Sequence, residues 1–285
     1  MPKHSHSFEA LGTQWGIETP AKLNKQTLLA IHDHIEAFDV AYSRFRNDSL
    51  VHEVSTHEGV FAFPHDAVKL FDFYRRLYEL THGKVTPLIG DMLERAGYDA
   101  HYTLVAKPQT PILSWDDVMR WNGEVLNTTQ PVTLDVGAAG KGYLVDLLSE
   151  LLEKEGILEY VIDASGDLRH KGSSPNRVGL EDPREPGKVI GAIDVINKSL
   201  CASAINRRAW GNGLHHIFDP DTMLPTKEIV ATWVITDDTM TADGIATSLF
   251  FVEPEVMSDT YQFEYVRMHA DGAIDYSPAF EGKLF

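Results

Sequence analysis

The chain carries one cysteine in 285 residues, Cys201, so it forms no internal disulfide and holds no multi-cysteine zinc centre. Such sparse use fits a reducing compartment. Cations are also scarce: 25 Lys and Arg stand against 42 Asp and Glu, a formal net charge of −17. A nucleic-acid binder presents a basic face, and docking on an anionic membrane needs one too, so neither partner is expected. A phosphate ligand would then need local help from a side-chain cation, a metal ion or backbone amides. No run of 18 apolar residues occurs, which excludes a membrane-spanning helix from the expected elements. The opening residues MPKHSHSFEALGTQWG show no apolar core of signal-peptide length and no small-residue cleavage pattern, and the expected location is the cytoplasm. Internal repeats, H-E-x-x-H, G-x-S-x-G and G-x-G-x-x-G are all missing. What is present, 43 % hydrophobic and 24 % charged residues, describes a globular chain and excludes disorder or a coiled coil as its main architecture.

Periodicity places the elements. Residues 8–18 alternate as a strand around Gly12. Pro20 opens a helix with Thr19 as its cap, and Leu28, Ile31, Ile35, Phe38 and Tyr42 form its apolar stripe. The polar run SRFRNDSLVHE reads as a loop. A second helix covers residues 64–82 and stops at Gly83. Residues 99–127, with Pro108 and Pro111, read as surface connection plus a short helix. A third helix starts near Gly140 and ends at Gly156. Strands follow over 157–163, 189–195 and 229–236, then a helix over 239–251. Residues 263–268 and 273–276 read as a hairpin turned at Asp271-Gly272. Helices and strands mix without a strict βαβ rhythm, so the fold class is α+β, with mixed sheets and packed helices. Residues 1–285 read as a single domain, with a weak boundary near residue 127 between two α+β subdomains.

Four segments could carry chemistry. Leu134-Asp135-Val136-Gly137-Ala138-Ala139-Gly140-Lys141-Gly142 leaves its backbone uncovered just before a helix, and Lys141 adds a cation. It fails as a Walker A loop, because Gly142 stands where Ser or Thr should bind magnesium. A tight strand-to-helix turn with a solvent-facing lysine explains it equally well. Asp243 and Thr247 lie four apart and share a helix face, with Ala242, Ala246 and Leu249 turned to the core. One carboxylate plus one hydroxyl suits magnesium when phosphates and waters complete the shell. A dipole-stabilised aspartate beside a back-bonded threonine accounts for them as well. His216, in His215-His216-Ile217-Phe218-Asp219-Pro220-Asp221-Thr222, could orient a phosphate or act as acid or base, or belong to an exposed histidine pair at a strand end. Asp163-Ala164-Ser165-Gly166-Asp167 closes a buried strand with small residues that admit a ligand, or forms a plain turn. Cys201 reads as core rather than nucleophile.

In order and spacing, these segments resemble the ApbE family, the magnesium-dependent FAD:protein FMN transferases, over residues 11–252. Leu11-Gly12-Thr13 sits where the family has Met-Gly-Thr, and Tyr42-Ser43-Arg44-Phe45-Arg46-Asn47-Asp48-Ser49 is similar to its Ser-x-Tyr/Phe-Arg-x-Asp-Ser loop. Thr81-His82-Gly83, the stretch from Asp135 to Asp146, Asp163 to Asp167, Val178-Gly179-Leu180-Glu181-Asp182-Pro183, His216 to Pro220 with Pro225, and Ala242-Asp243 with Thr247 follow its later motifs. The resemblance implies an ApbE-like, T-fold-related architecture. It implies Mg2+ held by the Ala138 carbonyl and the Asp243 and Thr247 side chains, with FAD as substrate. Asp135 and Lys141 would contact FAD, and Leu11, Phe45, Lys84, Val85, Thr86 and Phe218 would line the flavin or adenine pockets.

The implied reaction passes FMN from FAD to a Thr or Ser hydroxyl of a target flavoprotein and releases AMP. Lys141 would stabilise charge on the transferring group, and His216 is the candidate base, chosen because an ordinary histidine titrates near neutrality. Six departures stand out: Leu11 for Met, Lys84-Val85-Thr86 at the usual Phe-Asp pair, Ser165 and Ala204 for Gly, Met223 for Gly, and Met240 at a position that is acidic in some members. They fall mostly on the flavin side of the site. Competing readings are a magnesium-dependent FAD pyrophosphatase and a flavin-binding protein without catalysis.

Overall fold

In the computed structural model, which describes residues 4–211 and 213–285, an eight-stranded sheet runs through the molecule. Its strands in spatial order are His4–Ala10, Thr13–Thr19, Tyr160–Asp163, Asp167–Lys171, Ser199–Ala204, Ile229–Thr236, Glu264–His269 and Ile274–Tyr276. Every neighbouring pair is antiparallel, as an α+β fold without βαβ crossovers requires. The helices are α1 (Lys25–Tyr42), α2 (Leu50–Thr56), α3 (Ala67–Leu80), α4 (Gly90–Arg95), α5 (Trp115–Val118), α6 (Gly140–Lys154), α7 (Thr239–Ser248) and α8 (Pro254–Ser258).

Alternation along the strands sends side chains to two separate cores. Ile17, Ile162, Cys201 and Val234 pack with Leu77, Leu144 and Ala242 on the helical side. Val161, Leu200, Trp233 and Ile235 face the other way, onto Leu180 and Ile193 of a small sheet built from Asn176–Glu181, Val189–Val195 and Lys283–Leu284. The strand Ile229–Thr236 is therefore buried at all eight positions, which explains its unbroken β-branched and apolar character. Helix α7 follows it directly and packs between α6 and the sheet.

The contact of α6 with α7 is unusually close at Gly142. A Cβ there would lie 2.3 Å from the Thr239 carbonyl oxygen and 2.8 Å from Asp243 Cβ. Asp146, one turn further along α6, accepts hydrogen bonds from the Thr239 and Met240 amides at 2.8–3.1 Å and so covers N–H groups that the start of α7 leaves unpaired. Asp238 caps α7 by accepting from the Thr241 N–H at 2.8 Å.

Several expected elements change. Residues 8–18 are two strands, not one: Leu11 and Gly12 both take positive φ (49° and 70°) and turn a hairpin between His4–Ala10 and Thr13–Thr19. Pro20 opens no helix. Thr19 Oγ1 donates to the Ala21 carbonyl, and α1 starts at Lys25 because Asn24 accepts from the Thr27 N–H. The polar run after Tyr42 contains α2, capped by Ser49 Oγ on the His52 N–H. Residues 99–127 carry α5 and the strand Met119–Trp121, which with Gly59–Ala62 and Val125–Thr128 forms a three-stranded sheet. The strands Asp167–Lys171, Asn176–Glu181 and Ser199–Ala204 escape the sequence reading altogether. The remaining helices and the 264–276 hairpin lie close to their expected places, and Gly83 ends α3 by donating to the Tyr78 carbonyl at 2.8 Å.

Candidate active site

Two neighbouring cavities of about 330 Å3 and 450 Å3 share Thr13, Tyr98, Asp135, Gly137 and Lys141 in their walls. The smaller is lined by Lys84, Val85, Thr86, Ala138, His216, Phe218, Asp243 and Thr247. The larger is lined by Leu11, Phe45 and Tyr102, with Arg44 and Arg46. The fold thus gathers at one cleft the residues expected to serve catalysis, FAD or magnesium, with Asp135 and Lys141 where its two lobes meet.

The turn before α6 is held from below. Asp135 Oδ2 accepts from Arg44 Nε at 2.5 Å, and Oδ1 accepts from the Gly137 N–H at 2.7 Å. Burial pushes the Asp135 carboxyl up, but Arg44 and the Gly137 amide outweigh it and hold the group below the usual carboxylate range. Tyr74 Oη accepts from the Ala138 N–H at 3.0 Å. The Ala139 N–H points inward to the Val136 carbonyl at 3.3 Å. In a planar trans peptide the Ala138 carbonyl must then point the opposite way, outward from the turn.

Helix α7 supplies the second half of the site. Ala242, Ala246 and Leu249 are fully buried, which leaves Asp243 and Thr247 to face the smaller cavity. Asp243 Oδ2 accepts from the Gly142 N–H at 3.0 Å. Burial first, then the Asp167 carboxylate, push the Asp243 carboxyl well above its ordinary range. A hard cation beside it would reverse that balance. Carboxylate, hydroxyl and outward backbone carbonyl are the oxygen donors magnesium prefers, and they fit such an ion. Among the described residues no three His, Cys, Asp or Glu side chains cluster as a metal site, so any cation held here depends on this mixed set.

The expected cations are less available than the sequence implies. Lys141 Nζ lies 2.6 Å from Asp167 Oδ2 and donates to the Ala164 carbonyl at 3.2 Å, so it is not the solvent-facing lysine of the simpler reading. Burial lowers its pKa, but Asp167 and Asp243 overcome this and the net shift is upward. Lys84 bridges Asp219 and Asp221 at 2.6 and 2.7 Å and ties the 219–221 turn to the end of α3. Thr86 Oγ1 accepts from the Leu88 N–H and caps the short 3-10 helix Pro87–Ile89. Phe45 stacks on Tyr102 with ring centroids 5.6 Å apart and planes within 7°.

His215 and His216 are not an exposed pair. His215 is buried and its Nε2 is 3.0 Å from the Thr226 carbonyl. His216 borders the smaller cavity, with Nδ1 buried and without a hydrogen-bond partner. Burial, then Arg208 and His215, push its pKa down to about 3. The reason for choosing it as a base, titration near neutrality, therefore does not hold in the free protein. Ser165, at φ 55°, donates to the Gln14 carbonyl at 2.6 Å and closes the turn from which Ala164 reaches Lys141. Cys201 is core, its thiol 3.5 Å from the Thr239 carbonyl and pushed up by burial. The sequence reading missed Tyr98, Tyr102, Arg207 and Arg208 in the cleft walls. The arginine pair sits in a polar run, and only the fold shows what it faces.

Fold and cleft together define an α+β protein with an oxygen-donor helix face and a backbone turn at the junction of two ligand-sized cavities. The ApbE family model matches residues 11–267, and the chain belongs to that family. It is 25 % identical over 272 residues to the FAD:protein FMN transferase of Klebsiella pneumoniae, covering 87 % of this chain and 78 % of the relative. In fold it is similar to the ApbE protein of Thermotoga maritima, with TM-score 0.86, 22 % identity and 98 % of each chain covered. The flavin transferase ApbE of Vibrio cholerae gives 0.80, 21 % and 98 % of each.

Proposed function

We propose that the protein is an enzyme that transfers FMN from FAD to a Ser or Thr hydroxyl of a target protein, with magnesium bound, and releases AMP. The observation that carries this reading is the meeting of Asp243, Thr247 and the outward Ala138 peptide on one wall of a cleft whose two lobes suit the two halves of a dinucleotide. Family membership and the name of the Klebsiella relative support the same substrate.

In this reading the acceptor oxygen bonds to the phosphorus on the riboflavin side. The bond from that phosphorus to the bridging oxygen breaks, and its electron pair leaves on AMP. Magnesium supplies charge neutralisation for the pyrophosphate when bound. Asp243 and Thr247 would hold it from α7, and the Ala139 N–H bond to the Val136 carbonyl keeps the Ala138 carbonyl turned outward to join them. His216 is neutral at pH 7, so its free ring nitrogen accepts a hydrogen bond from the incoming hydroxyl. Apolar walls at Val85 and Phe218 receive an aromatic ring.

Titration of the protein with FAD, with and without magnesium, tests the reading by flavin fluorescence and AMP release. Magnesium-dependent AMP that appears only with an acceptor protein supports transfer. AMP released equally without one identifies a pyrophosphatase, and binding with no AMP under any condition identifies a carrier.

A further inference from the structure

Among the described residues six Lys and Arg side chains border the cleft, and five already have carboxylate partners. Arg44 pairs with Asp135, Arg46 with Glu36, Asp39 and Asp48, Lys84 with Asp219 and Asp221, Lys141 with Asp167, and Arg207 with Glu181. Arg208 forms no ion pair among the described residues, and its guanidinium carbon lies over the Tyr98 ring, 5.8 Å from the centroid. It is half-buried, and it borders both cavities. In a protein with 42 acidic residues, an arginine that pairs with none of them, near enough to Asp135 and Asp243 for its charge to act on both, and at the meeting point of two cavities, is set for an anion that arrives from outside.

We infer that Arg208 is a catalytic residue that binds the FAD pyrophosphate directly and stabilises charge on the departing AMP phosphate. Lys141 acts differently: bound to Asp167 and the Ala164 carbonyl, it fixes the geometry of the turn. The inference rests on the proposed FAD reaction. As the acceptor oxygen bonds to the flavin-side phosphorus and the bridging bond breaks, the electron pair goes to an AMP phosphate oxygen, and the hydroxyl proton passes to His216 or solvent. The planar guanidinium meets two phosphate oxygens in a fixed bidentate fork, a geometry that a freely rotating lysine ammonium does not hold.

The test compares Arg208→Gln and Arg208→Lys with the unaltered chain, titrated with FAD and with riboflavin, which has no phosphate. A charge-assisted contact with phosphate predicts that Arg208→Gln weakens FAD about 10- to 100-fold and leaves riboflavin within about twofold. Arg208→Lys should recover only part of the FAD affinity. The AMP release rate at saturating FAD should fall by about 100-fold in Arg208→Gln. Thermal stability should not move, because no ion pair is lost. Equal loss of FAD and riboflavin would show that the arginine only packs on Tyr98 and would overturn the inference. Unchanged FAD binding with an unchanged rate would overturn it as well. If FAD binding depends on Arg208 but the unaltered chain never releases AMP, the contact stands and the transfer reaction falls.

Discussion

Replacing Gly142 by Ala probes how tightly the oxygen donors of α7 are tied to α6. The new Cβ would sit 2.3 Å from the Thr239 oxygen, 2.7 Å from its carbon and 2.8 Å from Asp243 Cβ. Ordinary contact begins near 3.4 Å, so the first turn of α7 must retreat by about 1 Å. The obstacle is backbone, and no rotamer change relieves it. The same displacement stretches the Gly142 N–H bond to Asp243 and the Asp146 bonds to the Thr239 and Met240 amides. Overpacking contributes about 1–3 kcal/mol, and a weakened bond to a carboxylate adds roughly 1–2 kcal/mol, so ~2–5 kcal/mol of stability should be lost. Urea unfolding measures that loss. A second assay, the magnesium concentration for half-maximal AMP release, should rise because Asp243 moves away from the Ala138 carbonyl across the site. Stability within about 0.5 kcal/mol of the unaltered chain, together with an unchanged magnesium requirement, would refute the reasoning.

Lys141→Gln leaves the Asp167 carboxylate, with 1 % of its side chain exposed, without its cation; it should lower stability by ~3–5 kcal/mol in urea unfolding, and adding Asp167→Asn should restore more than half of that. Asp243→Asn should abolish magnesium-dependent AMP release while FAD still binds, checked by fluorescence titration. His216→Ala should slow transfer and spare FAD binding; undiminished transfer would remove it from the reaction. Because the folded pKa of His216 lies near 3 and the unfolded value near 6.5, the unfolded chain binds the extra proton, and stability should fall as pH drops from about 6.5 toward 3. The loss is bounded at about 5 kcal/mol and is smaller because the ring is only partly buried, and His216→Gln should flatten the pH dependence of the urea midpoint.

The sequence showed helices where a stripe was long enough to read, as in α1, α3 and α6, and it showed strands where β-branched residues ran together, as at Ile229–Thr236. It hid strands made of other residues. Ser199–Ala204 reads Ser-Leu-Cys-Ala-Ser-Ala, small residues with little strand preference, and it lies in the sheet because its neighbours on both sides bury it. Asp167–Lys171 is polar in sequence yet buried at Asp167 and His170, a pattern only tertiary packing can impose. The cleft residues were legible because Asp243, Thr247 and the Asp135-to-Lys141 run hold fixed spacings. Partner choice was not legible. Which of six cations is free depends on carboxylates distant in sequence, such as Asp219, 135 residues from Lys84, and Tyr74, inside the expected 64–82 helix, turns its hydroxyl to the Ala138 amide.

The doubly covered strand Ile229–Thr236 leads straight into α7. Its amides should exchange with solvent only when the whole molecule unfolds, and Asp243 and Thr247 inherit that rigidity. Arg208 and His216 belong to a different regime. They sit on a stretch secured by the two-residue pairings Ala209–Trp210 with Leu214–His215 and Phe218–Asp219 with Leu224–Pro225. Deuterium uptake should therefore divide the cleft into a slow wall and a fast wall. In the proposed reaction the slow wall would hold the oxygen donors in register while the fast wall adjusts Arg208 and His216 to the arriving ligand.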